Sequence, residues 1–219
     1  MSKVVIFGLL DTAELAHYYL ENDSEHEVVA FTVSKEYLKE KTFKGLPVVP
    51  FEDLESVYSP RDYYLFAPMT AKQMNQLREK IYLKGKEKGY KFISYISSKA
   101  TIFDNEIGEN CFILEDNTIQ PFTKIGNNVV LWSGNHIGHH SVIKDHTFFT
   151  SHVVMSGHCV IESHCFFGVN ATIRDYSNIA KGTLLAMGAS LTKQNTDEWG
   201  VYVGNPAKKI EGKVSYKMY

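Results

Sequence analysis

Seven of the nine histidines of this chain fall between His136 and His164. Imidazole changes charge near neutral pH, so such a concentration points to a general base, a proton carrier or a metal ligand. His139 stands in the stretch Asn135-His136-Ile137-Gly138-His139-His140-Ser141-Val142-Ile143, and Gly157 follows eighteen residues later. An imidazole base beside a glycine, whose exposed N–H can steady an oxyanion, is the pairing that acyl transfer requires. Five histidines, His140, His146, His152, His158 and His164, recur at six-residue intervals. Whether any of these groups meet depends on the path of the chain between them.

That path is written in a second regularity. From Ile107 to Leu191 every sixth position is apolar without a break, beginning Ile107, Ile113, Ile119, Ile125, Leu131 and Ile137. Helices repeat near 3.6 and half-buried strands near 2, so a sustained period of six identifies a hexapeptide solenoid. From Cys111 on, two places before each apolar residue the side chain is small or β-branched, as at Thr123, Val129, Ser141 and Ala189, with Asn117 and Asn135 as exceptions. If three hexads close one coil, the solenoid over residues 97–192 stacks into a prism roughly 24 Å tall at the usual strand spacing. His139 and Gly157 then share one vertical edge. Only histidines eighteen apart stack, His140 with His158 and His146 with His164, so a metal site built on either pair is expected to need a third ligand from another subunit. Cys111, Cys159 and Cys165 all fall in the small inward column and read as inert packing residues, and Ser141 reads the same way. The ends of the solenoid need caps, which residues 1–96 and 197–219 are placed to supply.

The first ninety-six residues follow another grammar. Apolar runs at residues 3–8, 27–33, 63–68 and 92–96 read as strands, and helical patterns lie at residues 11–20, 51–57 and 74–82. This alternation predicts a small parallel α/β sheet. Asp11 is expected to cap the first helix, with Glu14 as its third residue. In such sheets anionic ligands sit at the carboxyl ends of strands, which places Gly8, Leu10, Asp11, Ser34, Lys35, Pro68 and Met69 as candidates to hold a nucleotide diphosphate. A lone Gly8 without further glycines is no dinucleotide fingerprint.

A net charge of −2 and a pI near 6.5 argue against nucleic acid as a partner. The one basic run, Lys72, Arg78, Lys80, Lys84, Lys86, Lys88 and Lys91, is interrupted by Glu79 and Glu87 and reads as a solvated helix face. No apolar stretch reaches the length of a membrane span, and a buried-strand run follows Met1 directly, so a cytoplasmic location without membrane insertion is expected.

The hexad array, the 139–143 stretch, Gly157, the Gly188-Ala189-Ser190 segment and the closing Val203-Gly204-Asn205-Pro206-Ala207-Lys208 resemble the left-handed β-helix acyltransferases. The preceding α/β unit makes the chain similar to the sugar acetyltransferases of the PglD/NeuD type. The resemblance implies a Rossmann-like nucleotide-sugar unit at residues 1–96 and a left-handed parallel β-helix with its cap at 97–219. It implies a homotrimer with sites between subunits, acetyl-CoA as cosubstrate, no metal, and N-acetylation of a nucleotide-linked amino sugar, such as a 4-amino-4,6-dideoxy sugar, for glycan or O-antigen synthesis. His139 matches the family's general base and Gly157 the glycine that contacts the thioester carbonyl. Gly188, Ala189, Gly204, Pro206 and Lys208 would lie along the pantetheine and adenine. The chain departs from the family at Leu9-Leu10-Asp11, where a glycine-rich loop is common, and at Gly138 and His140, where an acidic neighbour is common. Asn135, His136 and Asp145 are the candidates to orient His139. The alternatives are a sugar O-acetyltransferase, a non-catalytic trimeric nucleotide-sugar scaffold and, from the histidine content, a hexapeptide carbonic anhydrase.

Overall fold

Strand β1 (Lys3–Phe7), helix α1 (Asp11–Asn22), β2 (Glu27–Val33), β3 (Thr42–Phe43), β4 (Leu46–Pro50), α2 (Leu54–Val57), β5 (Tyr63–Phe66) and α3 (Gln76–Glu87) form the first unit in a computed structural model that describes residues 1–218. Its sheet runs β3-β4-β2-β1-β5, parallel throughout except for the β3–β4 hairpin. Lys44 and Gly45, both at positive φ, make the two-residue turn of that hairpin. The central strands are apolar on both faces because helices cover both, with Ala13, Ala16 and Leu20 of α1 buried on one side and Ile81 and Tyr82 of α3 buried near the other.

Three expectations fail here. Asp11 does not cap α1: Leu10 is the N-cap, its carbonyl receiving the Ala13 and Glu14 N–H groups, and Asp11 is the first helical residue with no side-chain capping bond. There its carboxylate lies in the first turn, beside the positive end of the helix dipole. The strand expected at 92–96 is divided. Phe92 makes a single bridge to Leu65, whereas Tyr95–Ile96 pairs with Phe112–Ile113 and already belongs to the solenoid. Arg78 is not on a solvated face but fully buried between the two units.

From Tyr95–Ile96 on, the chain winds through two-residue strands that pair in parallel with partners one coil away, for example Thr118 with His136 and Ile119 with Ile137. Three sheets result, so the coil is an eighteen-residue triangle. The sixth-position column from Ile113 to Leu191 turns inward and is buried. Asn117 and Asn135, the exceptions in the small column, are buried too and satisfied. Asn135 Nδ2 donates to Asn117 Oδ1 at 3.0 Å, and Asn135 Oδ1 accepts the Val153 N–H at 2.8 Å.

Each corner is turned by one residue in the left-handed region: Asn110, Asp116, Phe122, Asn128, His140, His146, His152, His158, His164, Asn170 and Tyr176 all have φ between 54° and 66°. Asn, Asp and His are the side chains best tolerated there. The six-residue recurrence of histidine is therefore a backbone requirement before it is anything chemical.

One face of the prism differs from the other two. On it both residues of each strand are apolar, and the outward set, Phe112, Val130, Phe148, Phe166, Leu184 and Val201, is buried with Val4, Ile6, Phe66 and Met74 of the α/β unit in one cluster. The α/β unit thus lies along this face. At the far end Val201–Val203 extends the same sheet and Lys208–Lys209 closes it antiparallel, capping the last coil.

Candidate active site

The corner between the two uncovered faces carries His139, His140, Gly157 and His158. Parallel pairing eighteen residues apart sets Gly157 on the coil above His139, and the His158 N–H donates to the His139 carbonyl at 2.9 Å. A Cβ built on Gly157 would lie 2.7 Å from His139 Cε1 and 2.9 Å from Nε2, so the imidazole occupies the space that glycine leaves. The expected pair is thus in contact, outside the core. The Gly157 N–H has no hydrogen-bond partner among the described residues. A Cβ on Gly138 would come within 2.5 Å of that nitrogen, so glycine at 138 keeps the coils close and the amide uncrowded.

His139 is held from three sides. Its N–H donates to Gln120 Oε1 at 3.0 Å, its Nδ1 meets His140 Nδ1 at 3.0 Å, and its ring stands edge-on to His158 at 5.1 Å and 89°. None of Asn135, His136 or Asp145 orients it among the described residues: Asn135 and Asp145 are engaged elsewhere, the latter by Asn127. His140 supplies the contact. With the proton on His139 Nδ1 and His140 accepting, His139 Nε2 keeps a free lone pair. His140 is itself fixed in an aromatic column, Phe122–His140 at 4.6 Å, His140–His158 at 5.0 Å and His158–Tyr176 at 4.7 Å, the last two stacked. This brings three imidazoles of one chain together, so the expectation that a metal site needs another subunit is corrected: ring nitrogens of His139, His140 and His158 all lie within 4.8 Å of one another.

The other pair eighteen residues apart is different in kind, its rings tilted at 47°. His146 and His164 are buried under α3, where His146 Nε2 lies 3.4 Å and His164 Nε2 3.0 Å from the two oxygens of Glu79. Asn128 Nδ2 donates to His146 Nδ1, which places the His146 proton on Nε2, toward Glu79. Burial pushes the His146 imidazole down to about 4, against the opposing pull of Glu79.

Gly8, Leu10, Asp11, Ser34, Lys35, Pro68 and Met69 lie just past the carboxyl ends of β1, β2 and β5, which are neighbours in the sheet, so topology gathers them. Gly8 takes φ +118° and its N–H ties to the Thr32 carbonyl. Lys35 is not free: its Nζ pairs with Asp53 at 2.9 Å and its N–H donates to Glu52. Met69 gives its carbonyl to Arg78 at 3.4 Å. Since the α/β unit covers one face and His139 sits on the opposite corner, these loops and His139 of the same chain are on different sides of the prism.

Of the remaining candidates, Gly188 is an open left-handed corner on the edge of His152, away from His139. Gly204, Pro206 and Lys208 lie in the closing hairpin, with Lys208 exposed. Ala189 is corrected. It is buried in the inward column, its N–H goes to Ala186 and its carbonyl to Thr172, and it offers a cofactor nothing. Sequence reasoning gave Gln120 no role, took Glu79 only as a break in the basic run, and left His140 out of the candidates to orient His139, although its adjacency was the available signal.

The family described as bacterial transferase hexapeptide (six repeats) matches residues 106–139. Among solved structures, PerB from Caulobacter crescentus in complex with CoA and GDP-perosamine is 20% identical and superposes with a TM-score of 0.83, over 96% of this chain and 98% of that one. The acetyltransferase domain of PglB from Neisseria gonorrhoeae is 18% identical with a TM-score of 0.81, over 96% and 100%. WeeI from Acinetobacter baumannii is 20% identical with a TM-score of 0.77, over 96% and 100%. The likeness is one of fold and spans both units: a Rossmann-like α/β unit set on a left-handed parallel β-helix. No helix among the described residues is long and apolar enough to cross a membrane.

Proposed function

We propose that this chain is an acetyl-CoA-dependent N-acetyltransferase acting on the amino group of a nucleotide-linked sugar, by direct transfer with His139 as general base. The observation that carries the reading is the His139–Gly157 contact on an open corner: an imidazole whose Nε2 has no hydrogen-bond partner, beside an N–H that has none either, among the described residues. In this reading the amine attacks the thioester carbonyl, Nε2 accepts its proton, and the Gly157 N–H donates to the developing oxyanion; the C–S bond then breaks and CoA leaves as the thiol, taking the proton back from Nε2. The His140 contact holds the productive tautomer. No protein nucleophile is acylated: Ser141 is buried with its hydroxyl turned to the His139 carbonyl, and the three thiols are buried, with Cys111 and Cys165 pushed up to about 11 and 12 by desolvation.

The opposed placement of the α/β unit and His139 supports an assembly. A sugar nucleotide held by Gly8, Leu10, Asp11, Ser34, Lys35, Pro68 and Met69 of one chain meets His139 of a neighbour, which three-sided prisms satisfy as a homotrimer. Gly188, Gly204, Pro206 and Lys208 would then face the cosubstrate from the second chain of each groove. The fold neighbours agree in chemistry, since perosamine N-acetyltransferase was solved with CoA and GDP-perosamine.

The test is free-thiol release from acetyl-CoA with a panel of nucleotide-linked amino sugars. Acetylated sugar in the product, identified by mass, is the expected result. No turnover with any amino sugar, or equal turnover by His139→Ala, overturns it. Mixing His139→Ala chains with chains altered in the 8–11 loop should restore part of the activity, because the mixed assembly contains one groove type with both halves intact.

A further inference from the structure

The open corner holds more imidazole than a general base needs. His139, His140 and His158 each present a ring nitrogen, these nitrogens all lie within 4.8 Å of one another, and none of the three residues is buried. The first two are already 3.0 Å apart through Nδ1. Tetrahedral zinc with Zn–N bonds of about 2.0–2.1 Å needs nitrogens roughly 3.3 Å apart, within reach of modest rotation by exposed rings. The ligand set contains no carboxylate, and neutral imidazoles suit zinc, copper, nickel and cobalt rather than magnesium or calcium. His146 and His164, with the same eighteen-residue spacing, are unsuited, because Asn128 occupies His146 Nδ1 and Glu79 holds both Nε2 atoms under α3.

We propose that His139, His140 and His158 of one chain form a transition-metal site, and that Zn²⁺ bound there switches off acetyl transfer. The site itself rests on this corner's geometry; the switching rests on the role of His139 argued above. A neutral imidazole that gives one nitrogen to the metal keeps its proton on the other. Whichever nitrogen of His139 binds Zn²⁺, no lone pair is left to accept the proton of the amine. Three protein ligands leave a fourth position to water, the open arrangement of a zinc site that a chelator can strip. The metal is an inhibitor in this scheme, and the transfer reaction uses none.

The experiment titrates Co²⁺ into the full-length, metal-free protein and follows the visible d–d band of tetrahedral cobalt, then measures Zn²⁺ affinity by competition with a chromogenic chelator. One Co²⁺ per chain is expected. His140→Ala and His158→Gln should each weaken binding by at least about tenfold, the scale on which metal sites respond to losses near the ion. His152→Ala, at another corner, serves as the control and should bind as the parent does. The Zn²⁺ concentration that halves acetylation, read by product mass because zinc also binds thiols, should match the dissociation constant, and a chelator should restore activity. Absence of a tetrahedral cobalt band, or affinity unmoved in both His140→Ala and His158→Gln, overturns the site. Acetylation that persists at saturating Zn²⁺ overturns the switch while leaving the enzyme reading intact. A protein that binds one Co²⁺ per chain yet acetylates no sugar keeps the site and sinks the enzyme reading instead.

Discussion

Two corners of the same prism carry paired histidines eighteen residues apart, stacked at one and tilted at the other, and their surroundings are opposite. At the covered corner a hydrogen-bonded chain runs from the Ala67 N–H to Asn110, from Asn110 to Asn128 and from Asn128 to His146, whose Nε2 faces Glu79. Every step crosses a coil or the junction between units, so the corner works as a latch. At the open corner His140 and His158 stack on each other and on Tyr176, Phe122 is tilted against His140, and His139 leans on them with Nε2 uncommitted among the described residues. The backbone demand is identical, a residue at positive φ, and so are the spacing and residue type. What separates the latch from the candidate active site is whether the α/β unit lies on top.

If that contrast is right, the corners should fail differently. The largest effect belongs to the open corner: His139→Ala should lower kcat by about 10² to 10⁴, the usual worth of a general base, while the melting temperature stays near that of the parent. A comparable loss of stability would show that His139 is structural and merge the two corners. On the covered face, Phe148→Ala should cost about 3–5 kcal/mol of unfolding free energy, because its buried ring supports Arg78 and stacks on Phe166. Denaturant unfolding followed by far-UV circular dichroism checks it. Glu79→Gln should cost about 1–3 kcal/mol, since an amide oxygen cannot serve both His146 and His164, with kcat at neutral pH changed only slightly.

The smallest effect is a pH dependence. His146 titrates near 4 in the folded protein and near 6.5 when unfolded, so between these values the unfolded chain binds a proton that the folded one refuses. Stability contributed by neutral His146 is complete above about 6.5 and is lost as the pH falls toward 4. Melting temperatures across this window should decline in the parent and in His139→Ala alike, and decline less in His146→Asn.

Much of this was open to reading in the sequence. The period of six from Ile107 to Leu191 gave the repeat unit, and three such units to a coil, as the three sheets show, put His139 beside Gly157. The covered face was also encoded, in the paired apolar residues Phe112–Ile113, Val130–Leu131, Phe148–Phe149 and Phe166–Phe167, a signal hidden because it recurs only every eighteen residues. Arg78 was misread because a basic run looks solvated when its docking surface is unknown. Folded, Arg78 lies over Phe148 and donates to Asn75 and to the Thr147 carbonyl. Ala189 was misread because a resemblance assigns segments to a ligand without saying which side chains turn inward.

Repetition, being local, determined the strand lengths, the corners, the inward columns and the alignment of position 139 with 157. Side-chain periodicity needs only near neighbours to act. Which corner stays open, and where the loops at residues 8–11, 34–35 and 68–69 stand relative to His139, were decided by the docking of the α/β unit. Docking depends on surfaces assembled from residues tens of positions apart, and no short window of sequence contains it.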